Sequence, residues 1–223
     1  DHMVEVVCRE DGDIAAVRTR DNGDIAGDLF IDCTGLRALL IGRHFGVGMV
    51  DCREVLFNDR ALAVQVPYAD AAAPIACHTI STAQRHGWTW DIGLSARRGV
   101  GYVYSSAHAS DAEAEAVLRA HIERSGGPRA ADVPSPLALK FEPGYRRVFW
   151  QRNCVAVGLS SGFIEPLEAS SLVLVELAAS MIADTLPASR AAMDIVAQQF
   201  NDAFLYRWAR VIDFLKLHYV LSR

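Results

Sequence analysis

A short apolar run, Asn153–Val157, is followed by two glycines, a proline and a group of serines, and then by the apolar stretch Leu172–Ala183. Few arrangements satisfy that order other than a buried strand, a tight turn and a helix. The helix is apolar on nearly every side, which predicts that it is buried. Gly158 and Gly162 allow the backbone to turn tightly and to lie close to another group. Pro166 suits a first helical position, where its missing N–H is no loss. Glu168, Ser170 and Ser171 then fall in the first helical turn, beside free backbone N–H groups and the positive end of the helix dipole. That setting favours an anion or an electron-rich cofactor edge. A plain structural strand–turn–helix satisfies the same pattern.

The 223 residues are enough to bury a full core, as one domain or two unequal lobes. With 51% apolar and 22% charged residues, the chain is globular rather than disordered. Its longest apolar run is interrupted by Glu176, so no bilayer span is expected, and no signal peptide is read at the start. A net charge of -5 argues against a general nucleic-acid surface. The five cysteines, Cys8, Cys33, Cys52, Cys77 and Cys154, are far apart and form no CxxC. They read as reduced thiols of a cytoplasmic protein, most of them filling the core. The seven histidines form neither HExxH nor an i, i+4 pair, so no metal site is expected.

Three strands open the chain, Val4–Val7, Ile14–Arg20 and Asp24–Asp32, joined by the hairpin turns Asp11-Gly12-Asp13 and Asp21-Asn22-Gly23. Asp1-His2-Met3 reads equally as native chain or as an expression scar. The third strand runs into Cys33-Thr34-Gly35, an ending that suits backbone lying near a dinucleotide, although the chain contains no GxGxxG turn. Asn58–Pro67 is a strand by the alternation of Leu62, Val64 and Val66, with Asp59 and Arg60 as a surface ion pair of little worth. Residues 76–106 divide into antiparallel strands in which Trp88 and Trp90 flank Thr89 and share one face. From pattern alone, they are two core tryptophans. Ser110 and Glu113 form a capping box for a helix to Arg124 whose inner face is Ala114, Val117, Leu118, His121 and Ile122. Leu137–Phe141 and Arg146–Gln151 are strands about a Pro143-Gly144 turn, with Lys140 solvated. Ser189 caps a long helix from Arg190 to about Tyr219. Its apolar positions, Ile195, Val196, Phe200, Phe204, Trp208, Val211, Ile212, Leu215 and Val220, read as ordinary core.

Several of these stretches together resemble the flavin-dependent tryptophan halogenases. GLSSGFIEPLEASS at 158–171 resembles the segment that family places between flavin and substrate. DLFIDCTGLRALLIG at 28–42 is similar to its return into the flavin domain, and 58–67 is similar to its DRA-x-A-x-x-VP run. Trp88-Thr-Trp90-Asp-Ile92-Gly93 resembles the WxWxIP signature with glycine for proline, followed by GYVYSS at 101–106. The resemblance implies an α/β, glutathione-reductase-like FAD fold fragment with a mixed or antiparallel substrate sheet and C-terminal helices. Residues 1–60 would be part of the FAD domain, 61–150 the substrate-side sheet with one helix, 151–186 the return to the FAD domain, and 187–223 a C-terminal helical region.

The same resemblance implies chemistry. Reduced FAD and oxygen convert chloride or bromide to hypohalous acid, which passes through a tunnel to an electron-rich aromatic substrate. Glu168 matches the substrate-facing glutamate, and the N–H groups of Ser170 and Ser171 match the halide pair. Gly35, Gly158, Leu159 and Leu172 match positions at the flavin. Trp88 and Trp90 match the tunnel wall, and Tyr219 matches a tyrosine near the substrate. Glu168-Ala-Ser-Ser171 departs from the EST-G of members acting on free tryptophan. A larger indole, a phenol, a pyrrole or a carrier-borne aromatic therefore stands open beside tryptophan. A separate flavin reductase is implied, a homodimer is left open, and no nucleic acid or membrane partner is expected. The GxGxxG turn and the family's lysine are missing, so the chain is expected to be a fragment that neither binds FAD tightly nor halogenates alone. A flavin-dependent aromatic monooxygenase and a non-catalytic flavin-fold relic are the competing readings.

Overall fold

The computed structural model of the chain describes residues 2–70 and 72–222; Asp1 of the ambiguous N-terminal triplet lies outside them. In chain order come β1 (Met3–Cys8), β2 (Ile14–Thr19), β3 (Gly23–Ala26), β4 (Phe30–Asp32), β5 (Met49–Asp51), β6 (Arg60–Pro67), β7 (Ile80–Gln84), β8 (Gly87–Gly93) and β9 (Arg97–Tyr104). Then follow α1 (Asp111–Arg124), β10 (Leu137–Lys140), β11 (Gly144–Arg146), β12 (Trp150–Gln151), β13 (Cys154–Ala156), β14 (Gly162–Phe163), α2 (Ser170–Asp184) and α3 (Arg190–Leu221). The chain divides into two compact units, one of Asp1–Asp51 with Gly144–Leu217 and one of Cys52–Pro143 with His218–Arg223.

The first unit holds three small sheets, ordered β1-β2-β3, β14-β11-β5 and β12-β13-β4. The last is mixed: β13 runs antiparallel to β12 and parallel to β4. The strand expected over 24–32 is two strands. Up to Ala26 the chain pairs with β2, whereas Phe30–Asp32 pairs with β13. Asn153 takes the chain over at the break. Its side chain accepts from Ile14 N at 2.9 Å and donates to the Ile14 and Asp28 carbonyls, and its own carbonyl accepts from Phe30 N. The strand expected over 146–151 is likewise β11 and β12 in different sheets, and Gly144 lies inside β11 rather than in a turn.

Helix α3 buries Met193, Ala197, Phe200, Phe204, Trp208, Ile212 and Leu215, so the aromatic stripe is core, as its spacing predicts. Ile195 and Val220 fall off that stripe and are exposed. Asn201, on the same helix, accepts from Phe149 N and Trp150 N and donates to Trp150 O, which fixes β12 to α3. Helix α2 departs from the expectation of all-round burial. It buries only Ser170, Leu174, Ala178 and Ile182, and leaves Leu172 72% exposed, with Val173 also in the open.

Asp13, in the first hairpin, is fully buried and binds the Arg190 guanidinium, with Arg152 at 3.6 Å. The Arg190 hydrogen bond holds its carboxyl below the usual range, against the opposing effect of burial, and both arginines add attraction. A lowered carboxylate contributes stability that is present above its unfolded value and is lost as pH falls through the folded one. Asp13→Asn is therefore expected to cost about 1–3 kcal/mol at pH 7. It should also flatten the loss of stability on acidification below about pH 4, the unfolded range for Asp. Urea unfolding at pH 7 and pH 3 checks both.

The second unit is a five-stranded antiparallel sheet, ordered β10-β6-β9-β8-β7. One face carries Leu62, Val64, Val66, Val100, Tyr102 and Tyr104, packed against Ala114, Leu118 and Ile122 of α1. The capping box of α1 forms as predicted, with Ser110 N donating to Glu113 Oε2 at 2.8 Å and Glu113 N to Ser110 Oγ at 3.3 Å. Asp59 and Arg60 pair at 2.8 Å, and Asp59 also accepts from Ser106 N and Oγ, so the pair also anchors the chain after β9.

His121 of α1 is buried, with Thr89 Oγ1 at 3.4 Å from its ring nitrogens. Burial lowers its pKa from 6.5; Asp91 opposes the shift, and Arg124 and Arg98 reinforce it. Its stabilising contribution is present above pH 6.5 and is lost as pH falls below that value through the folded pKa. His121→Leu is expected to reduce the drop in thermal midpoint between pH 7.5 and pH 5.5, about one unit either side of a free imidazole. Scanning calorimetry at the two values measures it.

All five cysteines are free, and only Cys52 and Cys154 are buried. Cys8, Cys33 and Cys77 are exposed, contrary to a mainly core-filling role: Cys8 ends β1, and Cys33 and Cys77 lie in irregular chain between elements. No helix among the described residues is long and apolar enough to cross a membrane.

Candidate functional site

Strand β13 is fully buried and delivers the chain to Gly158, whose φ of +70° only glycine adopts freely. A single 3-10 turn, Gly158–Ser160, follows, and Ser160 Oγ donates to the carbonyls of Asp32 and Val157. At Gly162 a side chain would stand 2.7 Å from Tyr145 Cα and 2.8 Å from Trp208, so close approach requires glycine there. Both glycines serve as the sequence predicts.

Pro166 does not open the long helix. It precedes a short 3-10 turn, Leu167–Ala169, and α2 begins at Ser170. Glu168 (φ 59°, ψ 16°) and Ala169 (φ 52°, ψ 24°) are both left-handed, a conformation that costs of order 1–3 kcal/mol per non-glycine residue. Flanking burial of Ile164, Glu165 and Leu167 holds them. Glu168 therefore stands two residues before the helix, exposed, rather than within its first turn. Ser170 and Ser171 do occupy that turn. Ser170 is buried, and Ser171 Oγ lies 3.5 Å from Ile164 O. Its N-cap residue, Ala169, makes no side-chain capping bond, and no acid sits in its first turn, a setting whose N–H groups and dipole suit an anion.

Gly35 (φ +71°) opens a second 3-10 turn, Gly35–Arg37, which packs beside the Gly158–Ser160 turn; α2 meets that turn as well. Asp32 joins the two turns. Its carbonyl accepts from Val157 N and Ser160 Oγ. Its buried carboxylate accepts from Thr34 N (3.0 Å), Thr34 Oγ1 (2.6 Å), Leu40 N (2.9 Å) and Ile41 N (2.8 Å). Asp32 is absent from the site residues predicted from sequence. The available signal was a lone carboxylate closing the apolar run Leu29-Phe30-Ile31. Arg146 was missed too: it donates to Ser160 O and Val47 O and braces the turn from below. Leu36, Leu159 and Leu172 are 63%, 46% and 72% exposed, an apolar surface beside the helix start. Gly35, Gly158, Leu159, Glu168, Ser170, Ser171 and Leu172 thus all fall within the first unit.

Trp88, Trp90 and Tyr219 belong to the second unit. The two tryptophans share the sheet face opposite α1, with ring centroids 6.2 Å apart at 58°; Trp88 is buried and Trp90 half-buried. Tyr219 Oη accepts from Asn58 Nδ2 at 2.8 Å. Among the described residues, no group of three or more His, Cys, Asp or Glu is placed to hold a metal ion.

A family model described as tryptophan halogenase matches residues 1–223. Tryptophan 6-halogenase SttH of Streptomyces toxytricini is 40% identical over 220 residues, covering 99% of this chain and 41% of that protein. The crystal structure of a tryptophan halogenase from Shewanella frigidimarina is 50% identical with a TM-score of 0.94, over 100% of this chain and 42% of that one. BrvH, a flavin-dependent halogenase from Brevundimonas sp. BAL3, is 39% identical with a TM-score of 0.89, over 99% and 44%. The chain spans about two fifths of the length of these relatives. Its fold is that of the α/β flavoproteins among them, with mixed sheets and C-terminal helices. The site at Gly158–Ser171 and the paired tryptophans are therefore features of a chain that belongs to the tryptophan halogenase family.

Proposed function

We propose that the whole protein is a flavin-dependent halogenase that uses reduced FAD, oxygen and chloride or bromide to halogenate an electron-rich aromatic of the tryptophan or indole kind. The observation that carries this reading is the Gly158–Ser171 turn: an apolar ledge at Leu159 and Leu172, an exposed glutamate and a helix start whose N-cap residue makes no side-chain capping bond, side by side. The ledge and the bare backbone of Gly35, where an added side chain would meet nothing within 4 Å, fit the edge of a flavin. When bound, reduced flavin with oxygen supplies the oxidising power that turns halide into hypohalous acid.

This chain's residues do the remaining work. The N–H groups of Ser170 and Ser171 hold the halide. Glu168 orients the halogenating species or takes the proton that the substituted ring releases. Trp88 and Trp90 wall the passage to the substrate, and Tyr219 lies beside it. Residues 1–60 and 151–186 serve a glutathione-reductase-like FAD domain, 61–150 the substrate sheet and 187–223 the C-terminal helices. A separate reductase supplies the flavin, in the cytoplasm; a homodimer is a compatible assembly.

The test incubates the whole protein with reduced FAD, oxygen, bromide and a panel of indoles, phenols and pyrroles. Mass spectrometry should detect the isotope doublet of a monobrominated product. An oxygen adduct without bromine would overturn the reading.

A further inference from the structure

Asp32 is fully buried, and its partners Thr34, Leu40, Ile41, Val157 and Ser160 all lie in the first unit. Its carboxylate acts along the chain. Oδ1 accepts from Thr34 N and Oγ1, and Thr34 Oγ1 in turn accepts from Leu39 N at 2.7 Å. Oδ2 accepts from Leu40 N and Ile41 N, at the start of the short helix Leu39–His44, where the helix supplies no acceptor of its own. Ala38, buried between these anchors, is left-handed (φ 41°, ψ 59°), a conformation that residues with a side chain seldom adopt. The Asp32 carbonyl acts across the chain, on Val157 N and Ser160 Oγ of the second turn. Arg146 closes the circuit by donating to Ser160 O and Val47 O. A side chain at Gly42 would begin 2.6 Å from Arg146 Nη2, so the short helix rests on the guanidinium through bare backbone.

We infer that Asp32 is a positioning residue: its carboxylate and carbonyl together lock the Gly35 and Gly158 turns into one rigid unit, which fixes the two glycine backbones against the flavin edge. Both carboxylate oxygens are needed for this. Whichever way an asparagine turned, its NH₂ would face a backbone N–H, that of Thr34 or those of Leu40 and Ile41. Negative charge strengthens each of the four bonds. Arg146 is its counterpart: burial lowers the arginine's pKa, and the charge on Asp32 opposes that shift. The role toward flavin rests on the halogenase reading above; the lock itself does not.

The experiment separates the two. Amide hydrogen exchange is measured on the whole protein without flavin, and oxidised FAD is then titrated in while its fluorescence and visible absorption are followed. In Asp32→Asn, amides 34–42 and 157–162 are expected to exchange at least about tenfold faster, with β9 of the second unit unchanged. FAD affinity is expected to fall about ten- to hundredfold, as for the loss of a charge-assisted hydrogen bond. The absorption band of the flavin that still binds should shift from its native position. Thr34→Val removes the hydroxyl that links Asp32 to Leu39 N, and should loosen both turns and weaken FAD in the same direction. Thr34→Ser keeps that hydroxyl and should restore both.

Faster exchange confined to 34–42 overturns the lock. Faster exchange in both turns, with FAD affinity and the flavin band unchanged, overturns the positioning role. Should Asp32→Asn fail to fold, the Thr34 pair decides: exchange and FAD affinity that are equal in Thr34→Val and Thr34→Ser overturn the proposal. A native whole protein that binds no FAD removes the halogenase reading and the role toward flavin with it, and leaves the lock.

Discussion

Glu168→Gln is expected to lower the halogenation turnover of the whole protein by about 10²–10⁴-fold, the usual contribution of a positioned acid–base group. The amide keeps the shape of the side chain and removes its negative charge and its ability to take a proton. Because Glu168 is exposed and stands outside α2, stability should change by less than about 0.5 kcal/mol. Oxidation of reduced flavin by oxygen should continue, and halide should still protect the helix start, since the N–H groups at Ser170 and Ser171 are untouched. The measurement pairs single-turnover product analysis with a denaturation midpoint. Product formation at the native rate would remove Glu168 from the chemistry. A collapse of stability would make the carboxylate a structural group that holds the turn, rather than a group of the chemistry.

The largest stability effect is expected at Phe200→Ala, about 3–5 kcal/mol. Phe200 is fully buried, stacks on Phe204 with centroids 4.3 Å apart, and meets Trp150 edge-on at 5.6 Å. Its neighbours cannot close the gap. Asn201 fixes the backbone of Phe149 and Trp150 by hydrogen bonds, and Phe149 is already engaged with Phe204 and Trp208. Truncation therefore leaves a cavity rather than a repacked core. Val220→Ala, on the same helix but exposed, should stay within about 0.5 kcal/mol. Urea unfolding of both variants, followed by near-UV circular dichroism, tests the contrast. Equal losses at the two positions would mean that the stripe on α3 is not the core that its spacing indicates.

Local physics was legible without a structure. The capping box at Ser110 and Glu113 depends on two side chains three residues apart, and it forms as read. The alternation of Leu62, Val64 and Val66 placed one strand face on a core, and the spacing of Phe200, Phe204 and Trp208 did the same for a helix. The turn at Gly158 and Gly162 was readable because a positive φ and a close backbone approach each call for glycine.

What the sequence could not decide depended on groups far away in the chain. An apolar run such as Leu172–Val175 carries no mark of how much of it a neighbour covers, so the exposed side of α2 emerged only with the tertiary structure. The break in the 24–32 strand is made by Asn153, more than a hundred residues on, which competes for its hydrogen bonds. Glu168 left the helix because burial of Leu167 on one side and Ser170 on the other forces two left-handed residues between them. Asp32 looked like one more strand residue until its carboxylate met four donors from its own downstream turn and its carbonyl met the Val157–Ser160 turn. Sequence by itself determined which residue types could cap, turn and alternate, since those depend on neighbours along the chain. Only tertiary structure decided which carboxylate is buried, which apolar face stays open and which helix start lacks an N-cap side-chain bond, since those depend on what the fold brings from elsewhere.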